Sequence, residues 1–204
     1  MPPRDRFDDP RSTDADSLLD RELQEHRAVF EATAPILPAP FKRVLAMAEQ
    51  GLRQGGKLLL FGNGGSASDA QHIAAELVIR YAKTRAPIAA LALTTDTSAL
   101  TACGNDFGFE AIFERQLEAI GRRHDVAIGI STSGNSANVL RGLRQARAMG
   151  LATVGLIGGD GGPMLALCDA AIVVPSVVTA RIQEMHIMIG HVLCNALEQR
   201  LGLA

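Results

Sequence analysis

Residues 57–77 read KLLLFGNGGSASDAQHIAAEL, which is an apolar run, a glycine-rich turn and then a helical pattern. The run KLLLF is apolar at every position after the lysine, as is typical of a strand buried on both faces of a parallel sheet. Gly62, Gly64 and Gly65 permit a tight turn and the close approach of a ligand. The stretch therefore predicts a strand–turn–helix unit with a candidate ligand site at the turn.

Four further apolar runs follow along the chain. They are IAALAL (88–93), DVAIGI (125–130), ATVGLI (152–157) and AAIVV (170–174), and helical patterns fill the segments between them. Alternation of this kind is what βαβ units require. We expect an α/β fold with a five-stranded parallel sheet, helices on both of its sides and a long last helix over about 179–201.

Ahead of the first strand the pattern predicts two helices, separated by the proline-rich stretch APILPAP (34–40). The first begins at Asp16, and the second covers about 41–54 and ends at Gly55-Gly56. Residues 1–15 are charged and proline-rich, and we expect a disordered tail. With no repeat or interior linker, residues 16–204 form one predicted domain that includes the helical pair 16–54. We expect that pair to pack against the same helices of a second chain, the alternative being its own domain.

Composition excludes several classes of function. The net charge of the 204 residues is −2 with no basic block, so no nucleic-acid footprint is present. The three cysteines are widely spaced and form no CxxC, which favours a reducing compartment. The first residues lack the apolar core of a secretion signal, and no later run has the length of a membrane span. We expect a cytoplasmic protein without membrane contacts.

Two strand ends carry ligand-binding chemistry. The first loop, Asn63 to Ser66, lacks both the third glycine of a dinucleotide fingerprint and the G-K-[ST] of a P-loop, so an ordinary turn remains an alternative. The second stretch, ISTSGNSAN (130–138), places four hydroxyls at a strand-to-helix junction: Ser131, Thr132, Ser133 and Ser136. An ordinary N-cap needs only one hydroxyl, so the stretch favours binding of a monoester phosphate.

Polar residues also follow one face of the helix after the first loop: Asp69, His72, Glu76 and Arg80. The plain alternative is a solvated stripe with a Glu76–Arg80 ion pair. A histidine and a glutamate four residues apart can also share a metal ion. The last helix offers Gln183, His186 and His191, although a lone histidine there is more often packed or capping.

The segments GNGGSASDAQHIAAEL, GNDFGFE, GISTSGNSANVL and ARIQEMHI…H together resemble the sugar isomerase (SIS) domain family and, within it, the phosphoheptose isomerases. The resemblance runs from about residue 18 to residue 201. It implies a flavodoxin-like three-layer fold and a homotetramer with active sites at subunit boundaries. It also implies aldose–ketose isomerisation of sedoheptulose 7-phosphate to D-glycero-D-manno-heptose 7-phosphate through an enediol, the first step of ADP-heptose synthesis.

The resemblance further implies roles for individual residues. Glu76 and His191 match the acid–base pair, and one Zn²⁺ per subunit is expected at His72, Glu76, Gln183 and His191. The serine-rich loop, which carries the hydroxyls of Ser131, Thr132, Ser133 and Ser136, matches the part of the family that binds the phosphate. The other implied substrate contacts are Asn63, Gly64, Gly65, Ser66, Glu76, Arg80, Asn105, Asp106 and Gln183. Ala180 departs from the pattern, because some members carry an aspartate there.

The implied metal site has a geometric consequence. Gln183 and His191 are eight residues apart, which is about 12 Å along a straight helix. Both side chains can scarcely reach one ion from one helix. Either one of them reaches its site across a subunit boundary, or the helix starts after Gln183.

Other functions remain open at this point, because fold does not decide function. SIS domains also occur as non-catalytic modules, which bind the replication initiator or sense sugar phosphates. A binding-only module needs no catalytic carboxylate and imidazole, and the presence of Glu76 and His191 favours an enzyme. An isomerase for a pentose or hexose phosphate is a further alternative.

Overall fold

The computed structural model describes residues 15–203 of the chain. The predicted tail lies outside the described residues except for Ala15, which opens the first helix, α1 (Ala15–Thr33). The second helix, α2 (Pro38–Arg53), begins three residues before the predicted start. Proline is well accommodated in the first turn of a helix, since the N–H that it lacks would have no intrahelical partner there.

Five parallel strands form the sheet, as predicted. They are β1 (Leu58–Gly62), β2 (Ala90–Ala92), β3 (Val126–Ser131), β4 (Ala152–Gly158) and β5 (Ala170–Val174), in the order β2-β1-β3-β4-β5. That order is the one of flavodoxin-like folds. Strand β2 lies at the edge and has three residues, shorter than the predicted 88–93.

Helices cover both faces of this sheet. The remaining helices are α3 (Gly65–Val78), α4 (Thr97–Asp106), α5 (Ile112–Ile120), α6 (Ala137–Ala148) and α7 (Thr179–Arg200), with short 3-10 helices at Phe109–Ala111 and Gly162–Leu167. In β1, Leu58 and Leu60 belong to a core shared with α2, α3 and α7, whereas Leu59 and Phe61 belong to a core with α5 and α6. The predicted three-layer α/β architecture is therefore confirmed.

The two helices at the start of the chain, α1 and α2, differ in how much of their surface is buried. Helix α2 buries Val44, Ala48 and Gly51 in the core of its own domain, which is the alternative stated for the pair. Contact of its other side with a second chain stays a prediction. In α1 only Thr33 is buried, and the docking of this helix on a second chain stays a prediction.

Helix α3 ends earlier than the polar stripe predicted. It stops at Val78, so Arg80 lies beyond the helix and is exposed, and no Glu76–Arg80 ion pair is recorded among the described residues. Arg85 explains the early end, because its guanidinium donates to the carbonyls of Glu76 (2.9 Å) and Leu77 (2.7 Å). Those carbonyls would otherwise accept from the next helical turn.

Two observations concern the predicted absence of membrane spans and of disulfides. Within residues 15–203, no helix is long and apolar enough to cross a lipid bilayer. The cysteines Cys103, Cys168 and Cys194 are all free thiols.

Candidate functional site

The strand order places a crevice between β1 and β3. The chain leaves β1 through α3 on one face of the sheet to reach β2, and leaves β3 through α6 on the other face to reach β4. Ligands of open α/β sheets bind at such a topological switch point, beyond the carboxyl ends of the strands. Both predicted ligand loops, 63–66 and 131–136, end at this crevice.

The glycine-rich loop leads directly into α3. Gly64 has a positive φ of 56°, and Gly65 opens the helix. A Cβ atom on Gly65 would lie 2.2 Å from Nε2 of Gln183, so the amide of Gln183 lies against this loop only because residue 65 has no side chain. Ser66 is buried beneath the turn. The structure thus brings Gln183 to the glycine loop.

The serine-rich loop is organised around its own hydroxyls. Ser131 Oγ lies 3.1 Å from Ser136 Oγ and accepts a hydrogen bond from the N–H of Gly134 at 3.2 Å. Ser136 occupies the N-cap position of α6, yet among the described residues its side chain makes no capping hydrogen bond. The helix N-terminus therefore keeps donors for a ligand, which favours the anion-binding interpretation over the ordinary N-cap.

A cleft of about 850 Å³ opens next to this loop, beyond the ends of β3, β4 and β5. Thr132 and Ser133 line one wall, and residues 158–160, 175–177 and 179 line the rest. Its volume is that of a small-molecule site. Two of the four predicted phosphate ligands thus face an open cleft, while Ser131 and Ser136 face each other.

A second polar cluster lies where α3 and α7 run side by side. Nε2 of His72 is 2.9 Å from Nε2 of His191 and 3.5 Å from a carboxylate oxygen of Glu76. The ring of Tyr81 lies 5.6 Å from the ring of His191, centroid to centroid. The structure therefore brings together the predicted acid–base residues and three of the four predicted zinc ligands.

The two clusters lie at opposite ends of α3. Gly65 begins the helix and Glu76 lies in its last turn, eleven residues later, which is about 16 Å along the axis. The expectation that Glu76 lines the same pocket as the first turn of α3 is therefore not met within one chain. Helix α7 is unbroken from Thr179 to Arg200, so the alternative in which it starts after Gln183 is wrong.

The donor atoms near His72 partly fit a zinc ion. Neighbouring ligands of a tetrahedral zinc with bonds of 2.0–2.1 Å are about 3.3 Å apart, close to the two separations measured here. The donors nevertheless fan out from His72, and within residues 15–203 no three His, Cys, Asp or Glu side chains converge as a group that could hold a metal. Gln183 of the same chain lies at the other end of α3. The four ligands that the resemblance implies therefore do not converge within the described chain.

The remaining predicted contacts lie apart from both clusters. Asn105 and Asp106 end α4, are exposed and are joined by a hydrogen bond of 2.7 Å from Asn105 Nδ2 to the carboxylate. The neighbouring Phe107 and Phe109 are about 60% exposed, 59% and 63%, which is unusual for phenylalanine. Arg80 is exposed as well. These residues lie on surface that a second chain could cover.

Two titratable groups of the predicted polar set are buried instead. His186 is fully buried and donates from Nε2 to the carbonyl of Ile157 at 3.2 Å, and burial lowers its pKa to about 4. His186 is therefore a packed residue, the plain alternative. Burial also raises the pKa of Asp69 to about 6, against a smaller opposing effect of His72, and one carboxylate oxygen of Asp69 has no partner among the described residues.

Sequence reasoning missed one residue of the crevice. The side-chain amides of Asn63 and Asn138 exchange two hydrogen bonds of 2.8 Å each. Asn138 is 3% exposed and belongs to the first turn of α6. The only signal in the sequence was an asparagine one position inside the helix, where its side chain competes with the backbone for hydrogen bonds.

The fold and the crevice define the class of the protein. This is a three-layer α/β domain of the flavodoxin-like order, with a serine-rich loop at the switch point. The family profile described as SIS domain matches residues 23–158, which is more than half of the chain. The chain therefore belongs to the SIS domain family, as its sequence motifs predicted.

Relatives within that family carry a more specific name. The phosphoheptose isomerase of Paramagnetospirillum magneticum is 58% identical over 182 residues, 89% of this chain and 95% of that protein. The structure of phosphoheptose isomerase GmhA from Neisseria gonorrhoeae is 41% identical, with a TM-score of 0.85 over 90% of this chain and 98% of that one. The phosphoheptose isomerase structure from Francisella tularensis is 34% identical, with a TM-score of 0.87 over 90% and 97%.

Proposed function

We propose that this protein is a sugar-phosphate isomerase that converts sedoheptulose 7-phosphate into D-glycero-D-manno-heptose 7-phosphate, the opening reaction of ADP-heptose synthesis. The observation that carries the proposal is the cluster of Glu76, His72 and His191, with contacts of 3.5 Å and 2.9 Å. A carboxylate next to imidazoles supplies both partners of an acid–base reaction. The identity of 58% to a phosphoheptose isomerase supports the choice of substrate.

The reaction moves hydrogen between adjacent carbons of an open-chain sugar. Glu76 removes a proton from C1 of the ketose, the electron pair of that bond forms the C1=C2 bond of an enediol, and the oxygen at C2 gains a proton. Glu76 then returns its proton to C2, and the hydroxyl at C1 loses its own, which leaves an aldehyde. His191 is the group that moves protons at the oxygens, because an imidazole both donates and accepts near neutral pH.

The serine-rich loop holds the phosphate of this substrate. Hydroxyls and the free N–H groups of the first turn of α6 donate to a phosphate, and the positive end of the helix dipole favours its charge. Thr132 and Ser133 face the open cleft, so the ligand enters from that side. Binding at this loop sets which carbons of the chain reach the base.

Zinc is part of the proposal. His72, Glu76 and His191 would hold it, with Gln183 of a neighbouring copy as the fourth ligand, since Gln183 of the same chain lies at the far end of α3. When bound, the ion polarises the sugar carbonyl. An amide oxygen is an uncommon zinc ligand, so we expect modest affinity.

The same geometry supports a shared active site. Glu76 lies about 16 Å along α3 from the glycine loop of its own chain, and it does not line the cleft that Thr132 and Ser133 face. The phosphate loop of one chain therefore works with Glu76 of another. This arrangement requires a homo-oligomer, and we propose the tetramer that the resemblance implies.

One experiment tests the activity and the base together. Purified protein is incubated with sedoheptulose 7-phosphate, with and without a chelator, and aldose is followed by NMR. Glu76→Gln is expected to abolish turnover while substrate binding is retained, because the amide keeps the shape but cannot take a proton. Glu118→Gln, on the exposed side of α5, is the matched control. Turnover by Glu76→Gln at the parent rate would refute the role of the base.

A mixing experiment tests the shared site. Glu76→Gln and the double variant Ser131→Ala/Ser136→Ala are each expected to be inactive. In randomly mixed oligomers about one quarter of the sites combine an intact loop with an intact Glu76, so activity returns after subunit exchange. Mixed oligomers that stay inactive, with exchange verified by mass spectrometry, would place both halves of the site in one chain.

A further inference from the structure

We propose that Asn138 is a positioning residue for the ligand crevice, because its amide pair with Asn63 fixes the width of the switch point. The inference rests on the proposed function and adds to it a residue outside the predicted site. Nδ2 of each asparagine donates to Oδ1 of the other, at 2.8 Å in both directions. These two bonds join the glycine loop after β1 to the helix after β3.

The pair spans the sheet rather than one side of it. Asn63 leads into α3, which covers one face, and Asn138 belongs to α6, which covers the opposite face. Strands β1 and β3 are hydrogen-bonded neighbours up to the pair Gly62–Ile130, and beyond that point the backbone ladder stops. The two amides therefore continue the connection at the level where the ligand loops begin.

The orientation of both amides is determined by a third bond. Oδ1 of Asn138 also accepts from the backbone N–H of Val139 at 2.9 Å, so this oxygen cannot exchange places with the nitrogen without loss of that bond. Because Asn138 is oriented, the reciprocal pair orients Asn63 as well. Asn138 is 3% exposed, whereas Asn63 is half-buried at the edge of the crevice.

After the exchange Asn63 retains one N–H and one lone pair, whereas Asn138 retains only one N–H, because its Oδ1 accepts from both Asn63 and Val139. The remaining N–H of Asn138 is buried, so only the free groups of Asn63 can reach a sugar hydroxyl. The contribution of Asn63 to ligand binding then depends on the side-chain orientation that Asn138 imposes on it. Asn138 itself touches no ligand.

A double-mutant cycle tests this dependence with Asn63→Ala, Asn138→Ala and the double variant, with Gln145→Ala on α6 as the control. Affinity for sedoheptulose 7-phosphate is measured by calorimetry and for inorganic phosphate as a probe of the serine-rich loop alone. Each single variant is expected to weaken the sugar phosphate a few-fold to about tenfold, which is the net worth of one or two hydrogen bonds. The double variant is expected to be no weaker than the worse single one, because both changes break the same pair. The affinity for inorganic phosphate should change less.

Steady-state kinetics add a readout that a loss of folding would not reproduce. KM is expected to rise while kcat stays near the parent value, since the pair contributes to sugar binding in the ground state and the transition state alike and takes no part in proton transfer. Multiplicative losses of sugar-phosphate affinity would mean that Asn63 acts independently, and would overturn the proposal, as would coupling in thermal stability without coupling in affinity. If the parent chain binds no sugar phosphate, the proposed function fails. The positioning role is then decided by the side-chain amide NMR signals of Asn63, which Asn138→Ala should shift; signals that this variant leaves unchanged would refute it.

Discussion

Removal of Glu198 is expected to destabilise the protein strongly, because it leaves Arg85 as an unpaired buried charge. The two side chains are each 1% exposed, and Nε of Arg85 donates to Oε1 of Glu198 at 2.8 Å. The same oxygen accepts from the N–H of Tyr81 at 3.0 Å. The change Glu198→Leu keeps most of the volume and removes the charge and both acceptors.

The magnitude follows from these contacts. Breaking one partner of a buried ion pair costs about 3–5 kcal/mol, since the remaining charge keeps its desolvation penalty. For a chain of this size that corresponds to a fall in Tm of about 6–20 °C. In the double variant Arg85→Met/Glu198→Leu no charge stays buried. What remains is the loss of the caps on the carbonyls of Glu76 and Leu77, about 2 kcal/mol.

Thermal and urea unfolding of the parent, both single variants and the double variant provide the measurement. The double variant should be more stable than Glu198→Leu. Additive losses, or a loss below about 1 kcal/mol for Glu198→Leu, would refute the account of the pair as a buried charge. Burial by itself would raise the pKa of Glu198, but the Tyr81 N–H and Arg85 hold it below its usual value. The pair therefore stabilises above the ordinary carboxyl pKa, and this stability is lost as pH falls through the lower value in the folded state.

Three more outcomes are expected. Burial raises the pKa of Asp69 to about 6, so the contribution of this carboxyl to the free energy of unfolding is complete below pH about 4 and is lost as pH rises through 6. Asp69→Asn should remove this pH dependence of the free energy of unfolding, measured by urea titrations, and should raise stability near pH 7 by roughly 2 kcal/mol. Gly65→Ala should leave Tm nearly unchanged but lower sugar-phosphate affinity, because the new Cβ meets only the movable end of Gln183; a large fall in Tm would contradict this. Leu19→Ser/Leu23→Ser should weaken oligomers in light scattering without unfolding the chain, since both side chains are 57% exposed in one chain; an unchanged mass would show that α1 lies outside the interface.

The sheet could be predicted from sequence because its signal is local. Runs such as KLLLF and ATVGLI are apolar on both faces, and the observed strands Leu58–Gly62 and Ala152–Gly158 differ from them by at most one residue at each end. The short edge strand was over-predicted, because only one of its sides has a pairing partner. A run of apolar residues reports burial, and burial extends beyond the residues that pair.

The misplaced features depend on contacts between residues distant in sequence. Helix α3 ends where Arg85 binds its last carbonyls, and no cap near Val78 announces that end. The apolar face of α2 predicted burial correctly but did not say against which surface. Asn63 and Asn138 are 75 residues apart, and their pairing follows from the meeting of two strand ends that the sequence alone does not orient.

The position of Glu76 relates the fold to the proposed shared site. Helices α3 and α7 run parallel from the crevice, so residues at their starts, Gly65 and Gln183, meet each other, and residues two turns later, His72 and His191, meet as well. Two contacts of this kind on the same pair of helices, about 11 Å apart along the axes, cannot converge on one metal ion within one chain. A neighbouring copy can align the start of one helix pair with the later turns of another. Under the proposed shared site, loss of activity on dilution should follow the loss of the oligomer rather than the loss of fold.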